Sequence, residues 1–199
     1  MYSYRIEQAI RAAAVLHEDQ TRRGDLPLPY ITHPFSVAMS LLKYTDDEDV
    51  IVAALLHDTL EDTEYTYEQL VNDFGEITAE IVATVSEPQT DTEGQPLSWR
   101  ERKNIYREQV ATGPQEALYV SASDKIHNFR AIIEEYYDEP ERFLEDFGTN
   151  ISERIATYSA LAEVITEKLD NEELKTDFNY IFNEYKNFLN EISELYEVS

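Results

Sequence analysis

The residues best suited to chemistry in this chain follow one apolar run. Residues 50–56 are all apolar, and four ionisable residues follow them closely: His57, Asp58, Glu61 and Asp62. Seven consecutive apolar residues predict a buried helix, so the groups at its end would be poorly solvated. Burying a charge is costly unless it is paired or binds a metal, so the pattern indicates an ion pair or a metal site. At 3.6 residues per turn, each of the two later carboxylates would lie one turn beyond one of the two candidate ligands.

Two residues far away in sequence are candidates to complete a metal site at the end of this run. His33 stands at the predicted start of another helix, and Asp124 lies on the apolar face of a long one. Imidazole and carboxylate together suit Mn²⁺ or Fe²⁺, allow Zn²⁺ and disfavour Ca²⁺. Structural alternatives stay open: His33 as a packed or capping polar group, and Asp124 as an ion-pair partner of Lys125 or Arg130.

The composition restricts the class of protein. A chain of 199 residues with 42% hydrophobic content suits one domain with a proper core. Because it has no cysteine, disulfides, zinc fingers and thiol catalysis are excluded, which fits a cytoplasmic location. No run approaches the roughly 18 apolar residues of a membrane span, and the N-terminus lacks a signal-peptide pattern. We therefore expect a cytoplasmic protein without a membrane partner.

The charge of the chain is strongly acidic. Forty-one acidic and sixteen basic side chains give a net charge of −25, the wrong sign for a general nucleic-acid binder, so we expect no nucleic-acid partner. An anionic substrate would need a metal and local cations to overcome this field. The densest basic cluster follows a polar loop over residues 89–97 and could supply that local field; it consists of Arg100, Arg102, Lys103 and Arg107.

The periodicity predicts an all-α protein of about eight to ten helices. Only five glycines occur, and apolar residues recur every three or four positions along most of the chain. Helices are predicted over residues 3–20, 66–74 and 115–137, and one after Pro34 would bury Phe35. A capping-box pattern at residues 45–48 precedes the apolar run, which we take as one helix up to Asp62. Residues 148–199 predict a helical pair that packs on the domain formed by residues 1–147, with an oligomer contact as the alternative.

Several motifs between His17 and Arg130 resemble the hydrolase domain of the RelA/SpoT proteins, within the HD superfamily of metal-dependent phosphohydrolases. In sequence order they read RRG at 22–24, PYITHP at 29–34, ALLHDTLEDT at 54–63, FG at 74–75 and SDKIHNFR at 123–130. The resemblance implies the helical bundle of an HD domain. In that family, the domain removes the 3′-pyrophosphate from guanosine 3′,5′-bis(diphosphate) and from its pentaphosphate relative. The short chain is similar to the stand-alone small alarmone hydrolases, which have no synthetase domain.

The resemblance also implies roles for individual residues. The residues that would bind Mn²⁺ are His33, His57, Asp58 and Asp124. Glu61 and Asp62 would position or deprotonate the attacking water. The nucleotide substrate would contact Arg22, Arg23, Lys125 and Asn128: the arginines at the base, the asparagine at the sugar or phosphate, and the lysine at a phosphate unless it forms an ion pair. Independently of the resemblance, the position of His127 three residues after Asp124 indicates a supporting or packing role, and we expect His17 likewise to support the site without binding the metal.

Two departures from the family pattern bear on the substrate. The loop over residues 25–28 is longer than usual, and Lys125 stands where the large bifunctional enzymes have arginine. The same site serving an adenosine alarmone, NADPH or a nucleoside monophosphate is therefore an alternative. A non-catalytic helical antitoxin or adaptor is another, although such a protein would be expected to have lost ligands or the Glu61-Asp62 pair, and none is missing.

Overall fold

Helices make up almost the whole architecture of this protein. The computed structural model describes residues 3–24, 26–196 and 198. The helices are α1 (Tyr4–Leu16), α2 (Thr32–Leu41), α3 (Glu48–Leu56), α4 (Thr59–Asp62), α5 (Tyr67–Phe74), α6 (Glu76–Thr84), α7 (Trp99–Thr112), α8 (Gln115–Tyr136), α9 (Pro140–Phe147), α10 (Ile151–Lys168) and α11 (Glu172–Tyr196). Within the described part of the chain, ten of these exceed one turn, and β-structure is limited to two isolated bridges. The prediction of an all-α bundle is confirmed.

Helix α3 forms the centre of the bundle. It packs against α1, α2, α6 and α8, and every residue from Val50 to Leu56 is buried. The predicted capping box at residues 45–48 is wrong, because Asp47 is the N-cap and its carboxylate accepts the Asp49 N–H. Burial on all sides of the helix explains why the run is apolar without a break.

The prediction of one continuous helix up to Asp62 is also wrong. Helix α3 ends at Leu56, a two-residue turn follows, and α4 is a separate single turn. The His57 ring is hydrogen-bonded through Nδ1 to the Ala54 carbonyl at 2.8 Å, and the Thr59 hydroxyl donates to the Leu56 carbonyl at 2.6 Å. These side chains take carbonyl acceptors that backbone amides would otherwise use, which interrupts the helix. His57 and Asp58 are the two residues of this turn.

Helices α2 and α8 bring distant parts of the sequence against α3. Helix α2 packs on α3 and α8, and half of the residues of α8 are buried, among its contacts with α2, α3 and α11. Phe35, predicted in the buried face of α2, is 43% exposed. At 100° per residue it lies nearly opposite Val37, which is fully buried. The beginning of α2, the end of α3 and the middle of α8 therefore meet.

The C-terminal helices pack on α7 and α8. Helix α10 contacts α7 and α11, and α11 lies along α8, where the rings of Phe129 and Tyr185 stack with centroids 4.4 Å apart. Helix α9, which was not predicted, precedes this pair. Asp25, part of the lengthened loop, lies outside the described residues, and the domain boundary at residue 147 stays a prediction. Over the described helices, none is both long and apolar enough to cross a membrane.

The caps of α5 and α7 follow the sequence signals. Thr66 with Gln69 and Ser98 with Glu101 each form a full capping box, in which each side chain is hydrogen-bonded to the backbone amide of the other residue. The segment between α6 and α7 is not helical, as its glycine and proline indicate. It returns on itself through an isolated bridge between Thr90 and Pro96. This segment brings α7 and its cations beside α4.

Candidate metal centre and adjoining cleft

His33, His57 and Asp58 form a group able to bind a metal ion. The Nε2 atoms of the two imidazoles lie 3.2 Å apart. The Asp58 carboxylate reaches both rings, with Oδ1 at 3.2 Å from His57 Nε2 and Oδ2 at 3.5 Å from His33 Nε2. Both histidines are buried, and their donor atoms lie within 4.8 Å of one another and of the carboxylate oxygen. The turn between α3 and α4 thus supplies two donors and the first turn of α2 supplies the third.

Asp124 of α8 extends this group. Its Oδ1 lies 3.1 Å from His33 Nε2 and 3.6 Å from His57 Nε2. Its other oxygen accepts from Lys125 Nζ at 2.6 Å, while Asn128 Nδ2 donates to Oδ1 at 2.6 Å. All four candidate ligands are therefore brought together, and the alternative ion pair between Asp124 and Lys125 is present as well.

Hydrogen bonds on the far side of each ring define where the imidazoles direct their lone pairs. A neutral His57 must donate through Nδ1 to the Ala54 carbonyl, so its Nε2 carries a lone pair directed into the group. His33 Nδ1 lies 2.9 Å from His127 Nδ1, so one ring donates to the other. If His33 donates, its Nε2 is also free to bind a metal. Such outer hydrogen bonds are the usual support of metal-ligating histidines.

The electrostatics of the group favour a cation. Burial alone would lower the pKa of His57, but Asp58 and Asp124 outweigh it and raise that pKa to about 9. Burial lowers the pKa of His33, so this ring is neutral at neutral pH. Although burial opposes ionisation of Asp124, Lys125 and the histidines hold its pKa well below the ordinary range. Two carboxylates beside two imidazoles make a donor set that fits a divalent metal, which would take the place of the proton that His57 holds at neutral pH.

Glu61 lies on α4 but faces the segment after α6. Its Oε2 accepts the backbone N–H of Glu87 at 3.0 Å, and Oε1 accepts from Gln89 Nε2 at 3.2 Å. Burial, followed by repulsion from Glu87, raises the pKa of Glu61 to about 7. A carboxyl group with this pKa can exchange a proton near neutral pH. His57 and Asp58 both keep right-handed helical backbone angles, so the expected position of Glu61 one turn beyond His57 stays a prediction.

Asp62 is linked to the metal group through Tyr30, which sequence reasoning did not single out. The Tyr30 hydroxyl donates to Asp58 Oδ2 at 2.8 Å and lies 3.3 Å from Asp62 Oδ2. Burial raises the pKa of Asp62, and repulsion from Asp58 adds to the effect. The ring of His17 lies 4.9 Å from that of Tyr30, and its Nδ1 is 2.8 Å from the side-chain oxygen of Gln20. His17 therefore touches the site through Tyr30 rather than through a ligand.

A cavity of about 630 Å³ adjoins the metal group, and all four predicted substrate residues line it: Arg22, Arg23, Lys125 and Asn128. The Arg22 guanidinium lies over the Tyr30 ring at 5.6 Å and donates to Asn128 Oδ1 at 3.2 Å. Leu28 of the lengthened loop also lines this cavity. His127 lies at its edge as well as against His33. The cavity thus offers planar and cationic contacts on one side and polar groups beside the metal group on the other.

A second cavity of about 540 Å³ continues the first one towards Glu61. The two share five lining residues: Arg23, Lys103, Phe147, Arg154 and Tyr158. Of the basic cluster of α7, Arg102 and Lys103 line this cavity, whereas Arg100 lies 3.7 Å from Glu153 and Arg107 lies 3.9 Å from Glu108. The cluster is therefore divided, and half of it faces the cleft.

Arg154 and Tyr158 of α10 were missed because we expected the C-terminal helices only to cover the domain. Arg154 is 8% exposed, and its guanidinium lies 4.9 Å from the centroid of the Phe147 ring and 5.4 Å from that of Trp99. The faces of aromatic rings attract a guanidinium, so these contacts favour the buried position of Arg154. An arginine on the apolar side of an amphipathic helix was the signal that could have identified it.

Comparison of the sequence with known proteins identifies the family of this chain. The HD domain matches residues 9–151. The chain is 38% identical over 125 residues to the guanosine-3′,5′-bis(diphosphate) 3′-pyrophosphohydrolase MESH1 of Danio rerio, covering 62% of this chain and 66% of that protein. It is 34% identical over 134 residues to the bifunctional (p)ppGpp synthase/hydrolase SpoT of Escherichia coli, covering 64% of this chain and 18% of that protein. The match therefore spans about two thirds of the first relative and under a fifth of the second.

A solved structure of a metazoan ortholog of SpoT shares the fold. It superposes with a TM-score of 0.74 at 24% identity, covering 92% of this chain and 97% of the other, and that ortholog is described as hydrolysing ppGpp. At this level of identity the likeness establishes the fold alone. The superposition includes the region of α10 and α11, because the matched share of this chain exceeds the range of the HD domain match.

Proposed function

Since the chain belongs to the HD-domain family, we propose that it is a metal-dependent pyrophosphohydrolase that removes the 3′-pyrophosphate from guanosine 3′,5′-bis(diphosphate) and its pentaphosphate relative. The names of its relatives support this substrate. The observation that carries the proposal is the convergence of two imidazoles and two carboxylates, from three helices, beside a cleft lined with cations. Such a cleft offers local attraction to phosphates in a protein whose net charge is −25.

The metal would be held by four residues: His33, His57, Asp58 and Asp124. Their mixed nitrogen and oxygen donors suit Mn²⁺, with Fe²⁺ or Zn²⁺ as alternatives. A divalent ion there would supply Lewis acidity, which neutralises phosphate charge and lowers the pKa of the attacking water. His127 would keep the His33 ring in the orientation and tautomer that ligation needs, since it is the hydrogen-bond partner of Nδ1.

Glu61 and Asp62 would handle the attacking water. The water oxygen would bond to the phosphorus attached to O3′ as the P–O3′ bond breaks. Glu61 would accept the proton that the water loses, and O3′ would gain a proton, so the products are pyrophosphate and a 3′-hydroxyl. Glu61 supports the role of proton acceptor because burial raises its pKa to about 7. Asp62, held near Asp58 by the shared Tyr30 hydroxyl, would orient the same water.

The cleft residues would hold the nucleotide. Arg22, already over the Tyr30 ring, would stack on or flank the base together with Arg23. Asn128 lies one turn after Asp124 on α8, so it would contact the sugar or phosphate next to the metal. Lys125 is paired with Asp124 at 2.6 Å, and we therefore propose that its charge acts on phosphate from behind that carboxylate.

Three further expectations from the sequence remain proposals. The expectation that residues 148–199 pack on the domain formed by residues 1–147 is supported by the contacts of α10 and α11 with α7 and α8. A cytoplasmic location is supported by the absence of cysteine. Association through the C-terminal helices rests on their amphipathic pattern, and a mass measurement in solution would test it.

The experiment that tests the function is product identification. The protein is incubated with Mn²⁺ and guanosine 3′,5′-bis(diphosphate), and the products are separated by anion exchange. Guanosine diphosphate and pyrophosphate in equal amounts are expected. Orthophosphate without pyrophosphate would contradict the assignment. A parallel panel of an adenosine alarmone, NADPH and a nucleoside monophosphate tests the base preference that Arg22 and Leu28 create.

A further inference from the structure

Glu87 places a negative charge inside the cationic part of the cleft. It follows α6, is 7% exposed, and lines the second cavity with four cations: Arg23, Arg102, Lys103 and Arg154. Its carboxylate accepts a hydrogen bond from Lys103 Nζ, and the side chains of this pair are 6% and 17% exposed. A buried carboxylate in a cavity that should attract anions needs an explanation, because it opposes their binding.

Lys103 differs from the other cations of this cavity in its partner. Arg102 donates to the side-chain oxygen of Gln89 at 3.0 Å, and Arg23 lies 3.4 Å from the backbone oxygen of Asp146. Neutral oxygens can stay in place when a phosphate approaches such a cation. The ammonium of Lys103, in contrast, is already neutralised by a carboxylate, and it lines both cavities of the cleft.

Glu87 is also hydrogen-bonded to Glu61 through its backbone. The Glu87 N–H donates to Glu61 Oε2 at 3.0 Å, and two residues later the Gln89 side chain donates to Oε1 at 3.2 Å. The backbone therefore fixes the carboxylate of Glu61 while the side chain of Glu87 faces Lys103. Loss of the Glu87 charge can therefore leave the hydrogen bond from the Glu87 N–H to Glu61 intact.

Building on the proposed function, we propose that Glu87 is a positioning residue that competes with the substrate's phosphate for Lys103. In the free protein, its carboxylate holds the lysine at the junction of the two cavities. When a diphosphate group enters, Lys103 exchanges this partner for a phosphate oxygen, and the Glu87 backbone continues to hold Glu61. The site then binds diphosphates less tightly than its cations alone would allow, which favours release of the product pyrophosphate.

The competition has a definite sign. Replacing Glu87 by Gln preserves the size of the side chain and the backbone donor to Glu61 but removes the charge that holds Lys103. Because wild-type protein must break an ion pair before the lysine can bind phosphate, Glu87→Gln should bind inorganic pyrophosphate about tenfold more tightly. If the Glu87 carboxylate instead oriented Lys103 towards phosphate, Glu87→Gln would bind pyrophosphate less tightly than the wild type.

The test is a double-mutant cycle on pyrophosphate binding by calorimetry, with wild type, Glu87→Gln, Lys103→Met and the double variant. The proposal predicts tighter binding in Glu87→Gln and no gain from the same change when Lys103 is Met. Equal gains in both backgrounds would show a general field effect and overturn it, as would unchanged or weaker binding in the single variant. Glu153→Gln removes a charge from the same cavity away from Lys103 and should change the affinity much less.

This measurement is independent of turnover. If guanosine 3′,5′-bis(diphosphate) is not hydrolysed, the proposed function fails while the binding cycle still reports on Glu87. If it is hydrolysed, kcat and KM add a second readout: Glu87→Gln should lower KM and slow product release. Melting temperatures of the four proteins establish that each is folded before its affinity is interpreted.

Discussion

The Nε2 atoms of His33 and His57 lie 3.2 Å apart although 24 positions separate the two residues in the chain. His33 lies in the first turn of α2, and His57 directly follows the last residue of α3. Asp58 and Asp124 approach the same two atoms. Two imidazole nitrogens this close, both facing carboxylates, form the arrangement from which the proposed metal chemistry follows.

Removing one of these donors should remove the metal and the activity together. Asp58→Asn keeps the shape of the side chain but loses the charge that faces both rings. We expect bound Mn²⁺ to fall well below one equivalent and kcat to fall by about 10³-fold, because metal catalysis contributes several kcal/mol. Elemental analysis and steady-state kinetics measure the two quantities. Full activity without bound metal would contradict the role of Asp58.

His127 should act through His33 and not on the substrate alone. His127→Phe removes the hydrogen-bond partner of His33 Nδ1, 2.9 Å away, so the ligand loses its orientation. We expect the affinity for Mn²⁺ to fall about 10–100-fold, as is typical for such outer partners. His127→Asn, which retains an acceptor, should recover part of the loss. Unchanged metal affinity in the Phe variant would show that this contact is not needed.

The pH dependence of turnover should report on Glu61. Its pKa is raised to about 7 by burial and by Glu87, so the carboxylate form needed to accept a proton is lost as the pH falls below that value. We expect kcat to increase with pH through about 7 in the wild type. Glu61→Gln should reduce kcat by about 10²–10⁴-fold and abolish this limb of the profile. A wild-type profile that is flat between pH 5 and 8 would exclude Glu61 as the base.

The Glu61 carboxyl group should also affect the free energy of unfolding, and its contribution to stability should decrease as the pH rises. The folded protein binds the Glu61 proton more tightly than the unfolded chain, since the pKa is raised from 4.5 to about 7. Its contribution to stability is therefore present at low pH and is lost as the pH rises from about 4.5 to about 7. Glu61→Gln does not titrate, so in chelator-treated protein it should gain about 1 kcal/mol over wild type at pH 8, after allowance for partial exposure. Urea unfolding at pH 5 should show little difference between the two proteins.

Arg154 should matter for substrate binding although it lies on a C-terminal helix. Arg154→Met removes a charge from both cavities of the cleft, and we expect KM to rise about tenfold because a charge-assisted contact to phosphate is lost. Arg154→Lys keeps the charge but loses the planar contact with Phe147 and Trp99. Its KM should therefore lie between those of the wild type and Arg154→Met. An unchanged KM in the Met variant would place the substrate elsewhere.

The part of this site that could be predicted from the sequence is the part encoded in local pattern. The apolar run before His57, the proline after His33 and the capping boxes of α5 and α7 each identify an element and its end. The ordered motifs then indicated which residues converge. The roles of Tyr30 and Arg154 depend on contacts between distant segments: Tyr30 joins the loop before α2 to α4, and Arg154 joins α10 to the cleft.

The errors have physical causes too. The sequence indicated one helix up to Asp62, but the His57 and Thr59 side chains take carbonyl acceptors within that stretch, so α3 and α4 are separate helices. Helix α9 was missed although the sequence carries its signals: Pro140 begins it, Gly148 follows its end, and Phe143, Leu144 and Phe147 recur at helical spacing. Side-chain competition for backbone acceptors and packing between distant segments depend on the three-dimensional structure.

The central claim is that the four-residue metal centre releases pyrophosphate from the nucleotide. It is tested most directly by adding Mn²⁺ back to chelator-treated protein while bound metal and pyrophosphate release from guanosine 3′,5′-bis(diphosphate) are measured on the same samples. We predict that the rate increases in proportion to bound metal and reaches its maximum at one ion per chain, and that Asp124→Ala neither retains the ion nor releases pyrophosphate. Full pyrophosphate release by the metal-free protein, or by Asp124→Ala, would contradict the account.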